Sequence, residues 1–359
     1  MKTKKQSSYF RKNVEKMVGY VPGEQPQDGV YIKLNTNENP YPPSPRVIAA
    51  LKDAVNEKLR LYPDPNATSV KEKVAEVFNT NPERVMVGNG SDELLAIVVR
   101  CFIGEGEKIV YPYPSYLLYK TLSEVQDARE CIVNFLEDYS LPEEFLVEDA
   151  AVTFICNPNS PSGTMVPVDK VSNIAGKIDG VLVVDEAYVD FADDNSLRLV
   201  DKHPNLIVLR TLSKSYSLAG MRLGFALAQE DLIKGMIKVK DSYNVDRLSM
   251  AAAIAALEDH ETFRINIDRI KKTRGLLINS LKNLGFFVYP SQANFVMIRC
   301  SDALTAKSIY LRLKEQKILI RYIEQPRLDD CLRITVGTDD EINSLLETLV
   351  KIKNSLKIL

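Results

Sequence analysis

Short apolar runs recur through the middle of this chain and alternate with amphipathic stretches. That alternation constrains the fold more than any other feature. Residues 85–88, 108–111, 151–156, 180–185, 205–210 and 223–228 read as buried strands. Between several of them lie helical patterns: 69–78, with Val70, Val74 and Val77 on one face, then 92–102 and 168–177. Strands that are apolar almost throughout need cover on both faces, and intervening helices supply it when the sheet is mainly parallel. A longer pattern at 261–284 carries Ile265, Ile267, Ile270, Leu277, Ile278 and Leu281 among many charges, long enough to bridge two lobes. After Gly285 the rhythm changes. Short strands at 286–289, 294–299, 318–322 and 331–336 are separated or followed by helices at 303–316 and 339–353, which predicts a separate α+β lobe. The proline-rich stretch 39–45 punctuates the other end of the large lobe. A chain of 359 residues suits two domains, or one large domain with a satellite.

Composition narrows the function classes. A net charge of −2 argues against a dedicated nucleic-acid binder. The five cysteines, Cys101, Cys131, Cys156, Cys300 and Cys331, are odd in number, scattered and without a CxxC pair. They fit reduced thiols of the cytoplasm and argue against a secreted disulfide framework. With the two histidines, His203 and His260, far apart, no metal site is expected. No run of 18 apolar residues is present, so no membrane association is expected. The basic stretch 1–16 has no apolar run behind it, which predicts a solvated arm and no signal peptide.

Four polar signals stand at or just after strand ends, where open α/β sheets bind ligands. Asp185 closes the run Val181-Leu182-Val183-Val184. A carboxylate there is either a helix cap or a buried charge aimed at a cation. Lys214 lies among small hydroxyl residues in Thr211-Leu212-Ser213-Lys214-Ser215-Tyr216. It is either a solvated loop lysine or one that forms an imine with a carbonyl compound. Asn157 opens Asn157-Pro158-Asn159-Ser160-Pro161, a sequence that often makes nothing more than a turn. Gly88-Asn89-Gly90-Ser91-Asp92-Glu93 is a glycine turn feeding a helix N-terminus, which is either a capped helix or an anion cradle. It matches neither the P-loop nor the full dinucleotide pattern.

Taken together, and in this order, the four signals resemble fold-type I pyridoxal-phosphate enzymes and, more closely, the histidinol-phosphate aminotransferases. The resemblance rests on Thr211-Leu212-Ser213-Lys214-Ser215-Tyr216-Ser217-Leu218-Ala219-Gly220 and on Leu34-Asn35-Thr36-Asn37-Glu38-Asn39-Pro40. Tyr62-Pro63-Asp64, Gly90-Ser91-Asp92-Glu93, Pro112-Tyr113-Pro114-Ser115-Tyr116 and the stretch from Cys156 to Gly163 add to it. It runs from Tyr20 to about Gly337. It implies an aspartate-aminotransferase-like fold. Residues 46–284 would form a large cofactor-binding domain around a mainly parallel seven-stranded sheet flanked by helices. Residues 1–45 and 285–359 would form a small α+β domain.

The same resemblance assigns roles. Lys214 would hold pyridoxal 5'-phosphate covalently and then carry the proton. Asp185 would face the ring nitrogen, while Asn157 and Tyr188 would bond the ring oxygen and Tyr116 would stack on the ring. Gly90, Ser91, Asp92, Thr211, Ser213 and Arg222 would surround the phosphate. Tyr62 would reach the phosphate of a neighbouring subunit in a homodimer. Tyr20, Asn37, Tyr243, Arg321 and Arg333 would bind substrate. The implied reaction exchanges an amino group between histidinol phosphate and 2-oxoglutarate. A broader aromatic aminotransferase, or a phosphothreonine decarboxylase of the cobalamin pathway, would use similar motifs. A ligand sensor within a transcription regulator would need an N-terminal DNA-binding module, and only about 20 residues precede the motifs. Two departures from the family pattern bear on donor selectivity: Leu61 stands where arginine often precedes Tyr-Pro-Asp, and Tyr243 follows Ser242 where proline is usual.

Overall fold

The computed structural model describes residues 9–356. In chain order its strands are β1 (Ile32–Leu34), β2 (Val85–Gly88), β3 (Lys108–Tyr113), β4 (Arg129–Asn134), β5 (Val152–Cys156), β6 (Val181–Asp185), β7 (Leu206–Thr211), β8 (Gly224–Ala228), β9 (Phe287–Val288), β10 (Phe295–Arg299), β11 (Ile318–Tyr322) and β12 (Cys331–Thr335). Seven form one sheet in the order β2-β8-β7-β6-β5-β3-β4, and five form a second in the order β1-β11-β12-β10-β9. In the larger sheet only β8 runs against the rest, pairing antiparallel with both β7 and β2. The strand ends of β2, β5, β6 and β7 therefore lie on one edge, and β8 begins there.

The apolar runs are explained by two-sided burial. Leu182, Val184 and Val208 join the core on one face of the large sheet, and Val183, Ile207 and Leu209 join the core on the other. Alternate residues point to opposite faces, so both faces of these strands need apolar side chains up to the polar residues at their ends. Each such side chain contributes roughly 1.5–3 kcal/mol when fully buried. The helices begin where side chains can cap them: Ser44 before Pro45–Ala54, Asp246 before Arg247–Glu258, Asp259 before His260–Asn283 and Asp302 before Ala303–Glu315.

The long helix His260–Asn283 touches both halves. It packs on helix Arg247–Glu258 beside the large sheet and on β9, β10 and helix Asp339–Leu356 of the smaller one. Ile267, Ile270, Leu277 and Leu281 sit in the core of the smaller sheet with Leu34, which brings the two ends of the chain together. All five cysteines are free thiols.

Part of the basic arm expected to be solvated, residues 1–8, lies outside the described residues. The remainder is largely solvent-exposed, as expected, but it is ordered against the large domain. Lys12–Lys16 forms a short helix, and the Asn13 side-chain amide donates to the carbonyls of Glu124 and Val125 at the end of helix Leu118–Gln126. Two strands also escape the pattern reading. β4 is an edge strand with one face toward solvent, so it has no apolar run. β1 has three residues and exists because it pairs with β11, nearly 300 positions away.

Candidate active site

A cavity of about 240 Å³ lies beyond the edge where β5, β6 and β7 end, closed on its far side by β11 and β12. Asp185 is the last residue of β6 and Thr211 the last of β7, with Lys214 three residues on. Ser91 and Asp92 open the helix that follows β2, and Arg222 directly precedes the turn into β8. Asn37 follows β1, and Tyr20 comes from the N-terminal arm. All of these line the one cavity, with Tyr116, Tyr188, Ser213, Arg321 and Arg333.

Asp185 is buried, and burial, aided by the negative charge of Asp92, pushes its pKa up to about 7. The Tyr119 hydroxyl and the Ala187 amide donate to its two oxygens. No cation pairs with it among the described residues. A buried carboxylate in that state is a receptor for positive charge. Tyr188 accepts from the Asn37 amide, which leaves its own O–H to donate elsewhere. Burial raises its pKa to about 12, against the pull of Arg333.

Lys214 is the lone lysine on the cavity wall among the described residues. Its ammonium donates to the carbonyl of Thr36 and sits 5.8 Å from the centre of the Tyr188 ring. Burial, then the positive charge of Arg333, lowers its pKa to about 8. A lowered lysine pKa means that the neutral, nucleophilic amine appears at lower pH than usual. Capture of an aldehyde by the free protein should therefore quicken about tenfold per pH unit and level off above about pH 8. Stopped-flow absorbance across pH 6–11 checks this, and a rise continuing to pH 10.5 would mark an ordinary lysine.

The other end of the cavity is built for an anion. Gly90 caps helix Ser91–Phe102 with φ of 82°, in the left-handed region. A Cβ there would also come within 2.7 Å of the Arg222 guanidinium. Gly224 is equally constrained, since a Cβ would lie 2.6 Å from the Ser91 nitrogen. Two glycines thus let a helix N-terminus, with its unpaired amides and positive dipole end, meet Arg222. The Gly90 amide itself bonds the Gly88 carbonyl, so the amides left for a ligand belong to the first turn. The Thr211 hydroxyl donates to Ser213, fixing that hydroxyl beside the same space. Asp92 accepts from Arg222 at 3.2 Å and from the Tyr116 hydroxyl at 3.0 Å, orienting both. An imine-forming amine, an isolated buried acid and this anion cup in one cavity fit pyridoxal phosphate.

On the smaller sheet, Arg321 and Arg333 stand directly opposite each other across the antiparallel β11–β12 pair. Arg333 donates to Ser160 Oγ and to the Asn35 carbonyl, while its buried Nε has no partner. Arg321 donates to the carbonyls of Pro22 and Val21 in the arm that carries Tyr20. Arg333 is not the water-facing strand-edge charge that such a residue usually makes, and Arg321, half-exposed, is held by the arm.

Three of the residues singled out in the sequence lie elsewhere. Asn157 sits beneath the cavity. Its oxygen accepts the Val166 amide and its nitrogen donates to the Val166 carbonyl, which leaves one amide hydrogen uncommitted. Tyr62 and Tyr243 stack on each other with ring centres 4.5 Å apart, both exposed and outside the cavity of their own chain. Sequence reasoning missed Tyr119, the donor to Asp185. Its signal was present: Tyr119 lies three residues after Tyr116, and the two rings meet edge to face at 5.7 Å. It also missed Asn39, whose amide donates to the carbonyls of Lys214 and Ser215.

Comparison with known proteins agrees with this arrangement. Residues 30–349 match the family model described as aminotransferase class I and II. The chain is 48% identical to histidinol-phosphate aminotransferase 1 of Trichormus variabilis over 96% of its own length and 98% of the relative's. The crystal structure of histidinol-phosphate aminotransferase from Sinorhizobium meliloti, a complex with pyridoxal-5'-phosphate, superposes with a TM-score of 0.90. That likeness has 27% identity and covers 98% of this chain and 99% of the other. L-threonine-O-3-phosphate decarboxylase from Porphyromonas gingivalis has a TM-score of 0.79 at 21% identity, covering 90% and 99%, and shares the fold alone. The anion cup, the lysine and the buried acid are therefore those of a chain that belongs to the aminotransferase class I and II family.

Proposed function

We propose that this protein is a pyridoxal-phosphate-dependent aminotransferase that exchanges the amino group of L-histidinol phosphate with 2-oxoglutarate, giving imidazole-acetol phosphate and glutamate, a step of histidine biosynthesis. The observation that carries the substrate reading is the pair Arg321 and Arg333. Like charges directly opposite on neighbouring strands repel, and placing both on a cavity wall supports an anion bound between them. One planar guanidinium can take a carboxylate or a phosphate in the same bidentate fashion. Arg333 thus serves the carboxylate of glutamate and the phosphate of histidinol phosphate in turn. Arg321, with the Tyr20 hydroxyl, adds to the phosphate. Relatives at 48% identity over nearly the whole chain bear the same activity in their names, whereas the decarboxylase likeness reaches 21%.

Bound pyridoxal phosphate supplies an electron sink for the bond that breaks at the substrate's α-carbon. The protein does the rest. Lys214 would anchor the cofactor, and its amine stands where it could move the proton at that carbon. Asp185 would hold positive charge on the ring nitrogen. Tyr188 and Asn157 would hold the ring oxygen, Tyr116 would cover the ring, and Ser91, Ser213 and Arg222 would hold the phosphate. Residues 46–284 make the cofactor domain, and the described parts of 1–45 and 285–359 the small domain that brings the arginines.

The test is the specificity constant of each half-reaction. Arg333→Lys keeps the charge but loses the fork, and should lower kcat/KM for both histidinol phosphate and glutamate by about 1.5–3 kcal/mol, roughly ten- to a hundredfold. Arg321→Ala should cost histidinol phosphate at least about tenfold more than glutamate. Equal losses for both substrates would overturn the division of labour. Tyrosine or phenylalanine turned over as fast as histidinol phosphate would favour an aromatic aminotransferase.

The active species is a homodimer in the cytoplasm. Tyr62, 77% exposed and turned away from its own cavity, suits a place in the phosphate site of a second copy. Mixing Lys214→Ala with Tyr62→Ala protein should then regain about a quarter of wild-type activity, because half the dimers are hybrids with one intact site each. No recovery after subunit exchange, or a fully active monomer in light scattering, would exclude shared sites.

A further inference from the structure

Behind the cavity, on the side that faces away from ligand, lies a cluster of buried charge that the mechanism above does not use. Arg210 is 6% exposed and Glu186 1% exposed. Their side chains pair at 2.8 Å, and the same guanidinium reaches Asp190 at 3.1 Å while lying 5.5 Å from the centre of the Phe78 ring. The second oxygen of Glu186 accepts the Ser196 amide, and the second oxygen of Asp190 accepts the Ser215 hydroxyl.

Each member is a close chain neighbour of a residue on the cavity wall. Glu186 follows Asp185, Asp190 is two residues past Tyr188, Arg210 precedes Thr211, and Ser215 follows Lys214. Successive residues at a strand end point to opposite sides. When Asp185 and Thr211 face the cavity, Glu186 and Arg210 meet behind it. The Lys214–Ser215 segment is gripped twice, by Asp190 through the Ser215 hydroxyl and by the Asn39 amide through the carbonyls of both residues. A buried ion cluster is seldom more stable than apolar side chains of similar volume, so stability alone gives this one no reason to exist. What it provides is a rigid link between the strand end that carries the buried acid and the loop that carries the amine.

We infer that Arg210, Glu186, Asp190 and Ser215 are positioning residues that tie the backbone of Lys214 to the Asp185–Tyr188 turn and so set where the lysine amine stands relative to the acid. The inference rests on the reading that Lys214 carries the cofactor. None of the four lines the cavity; they act through the residues beside them.

The test uses holoenzyme of the Ser215→Ala and Asp190→Asn variants, which remove the link at its lysine end and leave the Arg210–Glu186 pair in place. Visible absorbance of the bound chromophore is titrated with pH, and kcat and KM are measured for each substrate beside the melting temperature. A misplacement of about 1 Å at a reacting group can cost about a hundredfold. The link being one of two grips, kcat should fall about tenfold, with both KM values within about twofold of wild type. The titration midpoint should move by at least about half a pH unit. Arg210→Lys should retain more of kcat than Arg210→Met. A variant with a lower melting temperature but an unchanged midpoint and kcat would show that the cluster is structural only, and would overturn the inference. Wild-type protein that binds the cofactor on Lys214 but ignores histidinol phosphate would sink the substrate assignment and leave this inference standing, with kcat then read on the donor that does react.

Discussion

Alanine at position 214 should reduce transamination at least about ten-thousandfold, and borohydride reduction followed by peptide mapping should place the cofactor on Lys214 in wild type and nowhere in the variant. Two losses combine. The covalent anchor disappears, and so does the group that moves the proton at the substrate's α-carbon. A positioned acid or base alone typically contributes 10²- to 10⁴-fold, and no second lysine lines the cavity to stand in among the described residues. The variant should still take up the cofactor without a covalent bond, because the helix N-terminus, Ser213 and Arg222 remain. Measuring affinity and rate separately therefore distinguishes loss of chemistry from loss of binding. An adduct on any other lysine, or residual turnover above about 1% of wild type, would remove Lys214 from its role. Added small amines should restore some rate if the missing function is the proton carrier, since the volume left by three methylenes and the ammonium admits them.

The parts of the fold legible in the sequence are those whose cause is local. The central strands β5, β6 and β7 could be read within a residue or two because both their faces are covered, which makes them apolar almost throughout. The long helix His260–Asn283 announced itself by its period. β4 did not, since an edge strand half open to solvent mixes Arg129 and Glu130 with Ile132 and Val133. β1 has no local cause at all; its three residues are extended because β11 lies beside them. The site divides in the same way. Asp185 and Lys214 were visible because a charge directly after an apolar strand, or among small residues, calls for an explanation. The opposition of Arg321 and Arg333 depends on the β11–β12 register, and the link from Arg210 through Asp190 to Ser215 depends on how the end of β7, the turn after β6 and the loop after β7 meet. Neither could be read from spacing. Asn157 was legible as a residue but not as a geometry, since its contacts with Val166 appear only once the loop is folded.

Asp185→Asn should retain measurable cofactor binding and lose about two to nearly four orders of magnitude in kcat. The argument starts from the state of the free protein. Asp185 is buried, its pKa is pushed up to about 7, and its bonds come from Tyr119 and Ala187, neither of which carries charge. Pairing with a cation on the ring nitrogen would favour the ionised carboxylate and pull the pKa back down. Acid and ligand therefore stabilise each other's charged forms, an effect the neutral amide cannot reproduce. Removing one partner of a buried charge pair costs about 3–5 kcal/mol, which at about 1.4 kcal/mol per tenfold gives the stated loss in rate. Asparagine preserves shape and can still accept from Tyr119, so the fold and the phosphate cup should be unaffected and cofactor affinity should change far less than kcat. The sign with pH follows. In wild-type free protein, cofactor uptake should weaken as the pH falls below about 7 and Asp185 takes up a proton before the cofactor arrives. In the asparagine variant that limb should vanish, leaving the dependence on Lys214 near pH 8. Equilibrium titrations from pH 5 to 9 with both proteins read this directly. A variant that turns over at near the wild-type rate, or keeps the acid limb, would reduce Asp185 to a cap on the turn that leads to Tyr188.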